Sequence, residues 1–158
     1  MCPGIGLSLT KQCHDLGARI LVADLKTTAL YDEFSRSKSN IIFVQADVTV
    51  WSSFERMFAA CEEEWNDVPD FYGICAGLFE PPFSNFWDDT EDEGYKQVEV
   101  NVSHPIKLTR LAMRKSLGRG KRASVCIIVS SCPFLLMILF LCVDSPQHLL
   151  CSQVLGMS

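Results

Sequence analysis

Two glycines near the start of the chain and one aspartate after the first apolar run have the types and spacing of a nucleotide site. Gly4 and Gly6 precede a segment of helical periodicity, and Asp24 directly follows the apolar residues 19–23. Glycines at a helix N-terminus let a phosphate approach exposed backbone N–H groups, and the helix dipole favours its charge. An acidic residue at the end of the next strand can accept hydrogen bonds from the ribose hydroxyls of an NAD-type cofactor. The pattern predicts a dinucleotide site, although a tight start to a helix would also explain the glycines.

Three further apolar runs are followed by residues that can bind a ligand. Asp47 follows residues 41–46, Gly77 follows residues 71–76, and Ser131 follows residues 124–129. Each has a plainer interpretation: Asp47 can cap the next helix, and Ser131 can be a turn residue. His148, a lone histidine, is not expected to act as a base for Ser131, and no histidine has metal-ligand partners at workable spacing.

The elements that carry these residues alternate along the chain. The predicted helices span residues 4–16, 28–35, 52–64 and 93–116, and the predicted strands span residues 19–23, 41–46, 71–76 and 124–129. We expect Gly17 to end the first helix, a capping box of Ser52 and Glu55 to begin the third, and Pro105 to bend the fourth. Alternating strands and helices predict an α/β fold: a doubly wound, mostly parallel sheet in three αβα layers.

The composition excludes several classes of protein. The chain has 158 residues, 48% hydrophobic and 21% charged, which is typical of one globular domain. Its net charge of −5 argues against a nucleic-acid partner. The eight cysteines include no CxxC pair, and residues 1–6 have no secretory character. We therefore expect reduced thiols and a cytoplasmic location.

Charge is distributed unevenly. Half of the 14 basic residues lie between Lys107 and Arg122. They can form a solvated helix end and loop, or a patch that binds a phosphate or a partner. After Arg122 the only charged side chain is Asp144. Residues 133–143 are uncharged but too few for a membrane span, which needs about 20 residues. Membrane association through this tail stays open as an alternative, because residues 125–143 form a longer uncharged stretch.

In type, order and spacing, the landmark residues together resemble the short-chain dehydrogenase/reductase family. They are Gly4-Ile5-Gly6 for the end of the glycine loop, Asp24, Asp47 with Val48, Ile74-Cys75-Ala76-Gly77 for the NNAG element, Asn101, and Ser130-Ser131. Cys75 stands where an asparagine is usual. The resemblance covers residues 3–131 and implies a Rossmann fold that is incomplete, without its first strand and catalytic-helix region.

The resemblance also implies an activity, namely NAD(P)-dependent oxidation of a small-molecule alcohol or reduction of a ketone. By this resemblance, the residues that bind the dinucleotide are Gly4, Ile5, Gly6, Asp24, Asp47, Val48, Ala76 and Gly77. The resemblance also implies that Ser131 orients the substrate oxygen and that Asn101 holds a water of the proton relay. We expect NAD rather than NADP, because Asp24 repels a 2′-phosphate, with Lys26 weakening the preference. A homo-oligomer is compatible with the family.

The chain departs from the family at both ends. The first strand, which lies centrally in the family's sheet, has no counterpart, and the first loop glycine would fall before Met1. The positions of the catalytic tyrosine and lysine hold Asp144 and His148. We therefore predict a partial NAD(P)-binding domain over residues 1–131, an unrelated apolar tail over residues 132–158, and defective catalysis. A non-catalytic nucleotide-binding or interaction remnant is the alternative.

Overall fold

The helices and strands follow the predicted order. The structure is a computed structural model that describes residues 4–78, 96–132, 135–143 and 151–155, with the backbone alone from residue 129 onward. The helices are α1 Ile5–Asp15, α2 Ala29–Ser35, α3 Trp51–Trp65, α4 Lys96–Val98, a π-helical segment Glu99–Ser103, and α5 His104–Gly118. The strands are β1 Arg19–Asp24, β2 Ile41–Gln45, β3 Phe71–Ile74, β4 Ala123–Cys132, β5 Leu135–Val143 and β6 Cys151–Leu155.

The strands form one six-stranded sheet in the order β2-β1-β6-β3-β4-β5. All pairs are parallel except β4 with β5, which is antiparallel. The α/β, mostly parallel sheet expected from the sequence is thereby confirmed. The predicted loop over residues 78–90 and the start of the fourth helix lie almost entirely outside the described residues.

Strand β1 supplies side chains to both faces of the sheet. Leu21 and Ala23 belong to a buried cluster with residues of α3 and α5, whereas Ile20 and Val22 pack with Tyr31 of α2. Successive side chains of a strand point to opposite faces, so a strand covered on both sides has a continuous apolar run. The helices therefore cover both faces, as the doubly wound prediction requires.

A local signal ends the first helix. Gly17 follows α1 with a φ of +80°, a left-handed conformation that glycine adopts without a steric penalty. The Gly17 N–H donates to the His14 carbonyl and the Ala18 N–H to the Cys13 carbonyl, which reverses the chain into β1. Gly17 ends the first helix as predicted.

The predicted capping box at the start of the third helix is wrong. Helix α3 begins at Trp51, its N-cap residue is Val50, and no side chain caps it. Ser52 already lies inside the helix, because the chain enters α3 one residue earlier than the pattern suggested. The neighbouring Ser53 hydroxyl instead accepts a hydrogen bond from the Asp47 N–H.

Pro105 marks a change in helix type. The π-helical segment directly precedes α5, and Pro105 occupies the first turn of α5. Proline has no N–H and cannot make the ordinary bond to the fourth residue before it, so the local hydrogen bonding widens there. The His104 N–H accordingly donates to the Glu99 carbonyl, five residues back.

The apolar tail contributes β5 and β6, two strands that the sequence did not predict. No helix among the described ranges is both long enough and apolar enough to cross a bilayer. The division of the chain at Ser131 stays a prediction.

Candidate functional site

One pocket lies at the carboxyl ends of β1, β2 and β3. Its lining includes the predicted residues Asp24, Asp47, Val48, Ala76 and Gly77, with Thr49, Leu78 and Lys96 beside them. Asp24 pairs in register with Gln45, so the ends of β1 and β2 are neighbours. The crevice at the carboxyl ends of parallel strands is where ligands bind in open α/β sheets. The cavity has a volume of about 180 Å³.

Asp24 presents a half-buried carboxylate to this pocket. Its Oδ1 accepts a hydrogen bond from the Leu25 N–H at 2.6 Å. Burial raises the pKa of Asp24, while the backbone hydrogen bonds of Leu25 and Lys26 and the charge of Lys26 act in the opposite direction. A carboxylate held in this way can accept further hydrogen bonds, as the vicinal hydroxyls of a ribose would offer.

Asp47 organises its own turn. Its Oδ1 accepts from the Thr49 N–H at 2.9 Å and from the Thr49 hydroxyl at 2.7 Å. The hydrogen bonds from the side chain and backbone of Thr49 hold the pKa of Asp47 below its usual value, and the charge of Lys96 adds to this. The alternative that Asp47 caps α3 is wrong, since Val50 is the N-cap. The carboxylate instead fixes the backbone around Val48 in the pocket wall.

The glycine pair lies at the start of α1. Gly4 is the N-cap residue without a side-chain cap, and its carbonyl accepts from Leu7 and Ser8. The N–H groups at the start of a helix have no intrahelical acceptor, so those of Ile5 and Gly6 are suited to an anion. Because residues 16–18 reverse the chain, this end of α1 lies at the same edge of the sheet as Asp24. Gly4, Ile5 and Gly6 are not part of the pocket lining itself.

The comparison with protein families decides the relationship. A family model described as short chain dehydrogenase matches residues 1–137. The chain belongs to the short-chain dehydrogenase family.

Similar proteins of this family are longer than the chain. The short-chain dehydrogenase/reductase prx4 of Penicillium roqueforti is 27% identical over 133 residues, which cover 81% of this chain and 38% of that protein. A short-chain dehydrogenase from Streptomyces avermitilis matches with a TM-score of 0.64 at 24% identity, over 78% of this chain and 44% of that one. The closed form of serine dehydrogenase complexed with NADP+ matches with a TM-score of 0.58 at 21% identity, over 75% and 47%. The structural matches show the fold, and the chain spans about two fifths of the curated relative's length.

Asn101, which family resemblance assigns to the catalytic site, binds the backbone beside the pocket. Its Oδ1 accepts from the Leu78 N–H and its Nδ2 donates to the Leu78 carbonyl, both at 2.8 Å. The side chain therefore ties the π-helical segment to the residue after Gly77. Sequence reasoning did not identify this role, because the partner is a backbone group distant in the chain.

Ser131 lies near the carboxyl end of β4, beyond the residues of that strand that pair with β3. Its side chain is outside the described part of the chain, so its role beside Asn101 stays a prediction. Asp144 and His148 lie outside the described residues.

Cys75 occupies the position of the usual family asparagine. It is 2% exposed, and burial raises its pKa to about 12. It therefore stays a neutral thiol at physiological pH, unsuited to nucleophilic chemistry.

Two polar residues of the pocket lining, Thr49 and Lys96, were absent from the sequence-based site. Thr49 had a detectable signal, since an aspartate two residues before a threonine commonly closes a local turn. Lys96 had none, because a lysine within a predicted helix is ordinary surface composition. Within the described ranges, no three histidine, cysteine or acidic residues lie close enough together to hold a metal ion.

Proposed function

We propose that this chain binds a nicotinamide dinucleotide, NAD in preference to NADP, and does not by itself oxidise alcohols or reduce ketones. The observation that carries the proposal is the position of the Asp24 carboxylate in one pocket with Asp47, Val48 and Gly77 at the strand ends. When bound, the cofactor would supply hydride transfer, and the chain's own residues would hold it.

The size and chemistry of the pocket fit the adenosine part of such a cofactor. A volume of about 180 Å³ is below the roughly 300–1,000 Å³ of pockets that enclose a whole ligand. The pocket combines an acceptor at Asp24 with apolar walls at Ala76 and Val100. Those features suit a ribose next to a flat ring, with the pyrophosphate at the start of α1.

The preference for NAD follows from charge. A 2′-phosphate beside Asp24 would add a second negative group to a half-buried carboxylate, and like charges in such surroundings repel strongly. Lys26 is close enough to lower the pKa of Asp24, so its ammonium would offset part of that repulsion. We expect a moderate preference for NAD.

The lack of turnover follows from the proton that the reaction must move. Oxidation of an alcohol removes a proton from the oxygen as hydride leaves the carbon, and a positioned acid/base contributes about 10²–10⁴-fold to such steps. The sequence positions of the family's tyrosine and lysine hold Asp144 and His148. An aspartate with a pKa near 3.9 is ionised at neutral pH, so it is a poor proton donor for ketone reduction and a weak base for alcohol oxidation. Ser131 and Asn101 would remain as the residues that contact the substrate oxygen and a water.

Titration of the purified chain with NAD and with NADP tests the binding proposal. We expect saturable binding of both, with the lower dissociation constant for NAD. Tighter binding of NADP would contradict the preference, and no binding of either would contradict the nucleotide site.

A separate assay tests catalysis. Absorbance at the reduced nicotinamide band is followed with a panel of secondary alcohols and ketones, and we expect no turnover. Turnover by pure protein that Ser131→Ala abolishes would show that another residue supplies the proton.

We also propose a cytoplasmic location. Cys75 and Cys126 are buried free thiols, and Cys13 is a partly buried one. Unpaired buried cysteines suit a reducing compartment. Fractionation of cells that express the full-length gene product would test this location, and enrichment with membranes or the medium would contradict it.

A further inference from the structure

A strand from the end of the chain lies in the middle of the sheet. Strand β6 pairs in parallel with β1 on one side, where Leu21 is opposite Gln153, and with β3 on the other, where Tyr72 is opposite Gln153. The two neighbours come from the first half of the sequence. This slot between β1 and β3 is the central position that the family resemblance gives to the family's first strand.

The slot between β1 and β3 needs a strand within it, because the residues on both sides belong to the buried core. Ile20, Leu21 and Tyr72 are each fully buried. Without a strand between them, β1 and β3 would each present a row of unpaired N–H and carbonyl groups in the interior. Buried backbone groups without partners are strongly unfavourable, so an empty slot is not a stable state of this sheet.

The direction of β5 lets the same chain reach the slot. Strand β5 runs antiparallel to β4 and ends with Val143 opposite Ala123, at the amino edge of the sheet. Strand β6 starts at that edge, with Cys151 opposite Arg19. No crossover helix is needed, since β5 has already brought the chain back.

The intervening residues are long enough. The slot lies three strand positions from β5, about 14–15 Å at the usual spacing between strands. Residues 144–150, when extended, span up to about 23–25 Å. The connection therefore fits within one molecule.

We propose that the C-terminal segment completes the sheet in cis: residues 151–155 insert between β1 and β3 as the central strand and are required for the folded state. Helix α1 packs against β6, so the inserted segment also supports the helix that carries Gly4 and Gly6. The proposal concerns the sheet and does not require a bound nucleotide.

Hydrogen exchange of the full chain tests the insertion directly. We expect the amides of residues 151–155 to exchange as slowly as those of β1, and equally slowly at high and low protein concentration. Exchange at the rate of an unstructured peptide would overturn the proposal. Protection that is lost on dilution would mean that the tail of a second copy fills the slot, which would overturn the assignment in cis.

Three variants distinguish the backbone pairing of β6 from the identity of its side chains. Gln153→Pro removes an N–H from a central strand, where proline is not tolerated, and should abolish cooperative unfolding and the protection of β1. Gln153→Ala keeps the N–H and should retain both. Ser158→Pro introduces the same residue outside β6 and should behave as the unchanged chain. Cooperative unfolding and protection retained in Gln153→Pro would overturn the proposal.

Discussion

The two pocket aspartates have opposite pKa shifts, and the difference separates their tasks. The Asp47 carboxylate is committed to Thr49 within its own turn, and this lowers its pKa. The pKa of Asp24 is raised because burial outweighs its two backbone hydrogen bonds. A ligand that supplies hydrogen bonds to Asp24 would relieve that desolvation. We therefore expect Asp24, rather than Asp47, to contribute to the affinity and the selectivity of ligand binding.

Asp24→Asn should weaken NAD binding by about 10- to 100-fold and remove the preference over NADP. A hydrogen bond to a charged acceptor contributes about 1.5–3 kcal/mol, and 1.4 kcal/mol is a factor of ten in affinity. The neutral amide also no longer repels a 2′-phosphate. Dissociation constants for both nucleotides measure the effect.

Glu33→Gln provides the matched control for that variant. It removes the same charge from an exposed position on α2, outside the pocket lining. Its nucleotide affinities should be unchanged. An unaltered ratio of NAD to NADP affinity in Asp24→Asn would show that Asp24 does not contact the ribose.

A second residue of interest, His104, is buried away from the pocket lining. Its ring is fully buried and stacks on Phe54 with ring centres 5.9 Å apart, and its Nδ1 donates to the Val100 carbonyl. Burial lowers its pKa from 6.5 to about 4, against the opposing effect of the Val100 hydrogen bond. The folded protein therefore holds this histidine neutral.

Stability should fall as the pH is lowered from about 6.5 towards 4. In that window the unfolded chain protonates His104 and the folded chain does not, so protonation favours unfolding. The full effect is about 3 kcal/mol, from 1.36 kcal/mol per unit of pKa. Denaturant unfolding at a series of pH values measures it. His104→Phe should lose this part of the pH dependence, and an unchanged acid loss in the variant would contradict the assignment.

At the scale of elements, one lysine joins the starts of β3 and β4. The Lys121 ammonium lies 2.8 Å from Asp67 Oδ2 and 2.8 Å from Asp70 Oδ1, and it donates to the Val68 carbonyl. The side chains of Lys121 and Asp70 are only 13% and 10% exposed. This ion cluster fixes the amino edge of the sheet, opposite the pocket.

Lys121→Met should lower the free energy of unfolding by about 2 kcal/mol. The loss arises because the largely buried Asp70 carboxylate is left without its cation. Lys115→Met is the control, since Lys115 and its partner Glu62 are 42% and 35% exposed and such pairs contribute about 0–1 kcal/mol. Equal effects of the two variants in urea unfolding would contradict the cluster's role.

The link between Asn101 and Leu78 holds two other elements together. Asn101→Ala should lower the free energy of unfolding by about 1–3 kcal/mol, because it removes two hydrogen bonds of about 0.5–1.5 kcal/mol each. The free energy of unfolding of Asn101→Asp should lie between those of the unchanged chain and Asn101→Ala. This variant keeps the acceptor for the Leu78 N–H and loses the donor. Chemical denaturation and the exchange rate of the Leu78 amide provide the readouts.

The neighbouring Val102 supplies a control in the same π-helical segment. It is 50% exposed, so Val102→Ala should change stability little. If Asn101→Ala and Val102→Ala have the same effect on the Leu78 amide, the link does not hold the backbone there.

At the scale of the whole molecule, the sequence predicted the elements of the first 128 residues better than those of the tail. Runs such as Arg19–Asp24 are buried on both faces and adjoin clear turn signals, so local pattern sufficed. Residues 135–143 form a longer, uniformly apolar run, and periodicity alone does not distinguish a buried strand from a buried helix in such a run. The pairing of β6 depends on partners far away in the sequence, which no local window contains. Five residues of the pocket lining were predicted through family resemblance: Asp24, Asp47, Val48, Ala76 and Gly77. Lys96 and the contact of Asn101 required coordinates.

The outer edge of the sheet at β5 should promote self-association. Strand β5 is last in the strand order, and its residues include no charge and no proline. A long uncharged edge strand can pair with another chain through its backbone. Ile138→Lys and Leu139→Lys, made singly because neighbouring side chains lie on opposite faces, should each reduce association. Sedimentation velocity at several concentrations measures this.

Leu117→Lys is the control for the edge. It makes the same kind of change at a 55% exposed position of α5 and should leave association as it was. If only Leu117→Lys reduces association, the contact lies on the helices.

Because Arg19 of β1 pairs with Cys151 of β6, the sheet joins two segments that the ribosome makes at very different times. A ribosome releases β1 early and the central strand β6 after the other five described strands. While residues 151–155 are still in the exit tunnel, β1 and β3 have no strand between them. Pairing between residues so distant in sequence is slow, and unpaired strands on a nascent chain favour aggregation. We therefore expect the sheet to close only after residues 151–155 have left the ribosome, so that chaperones which shield emerging strands determine the yield of folded protein.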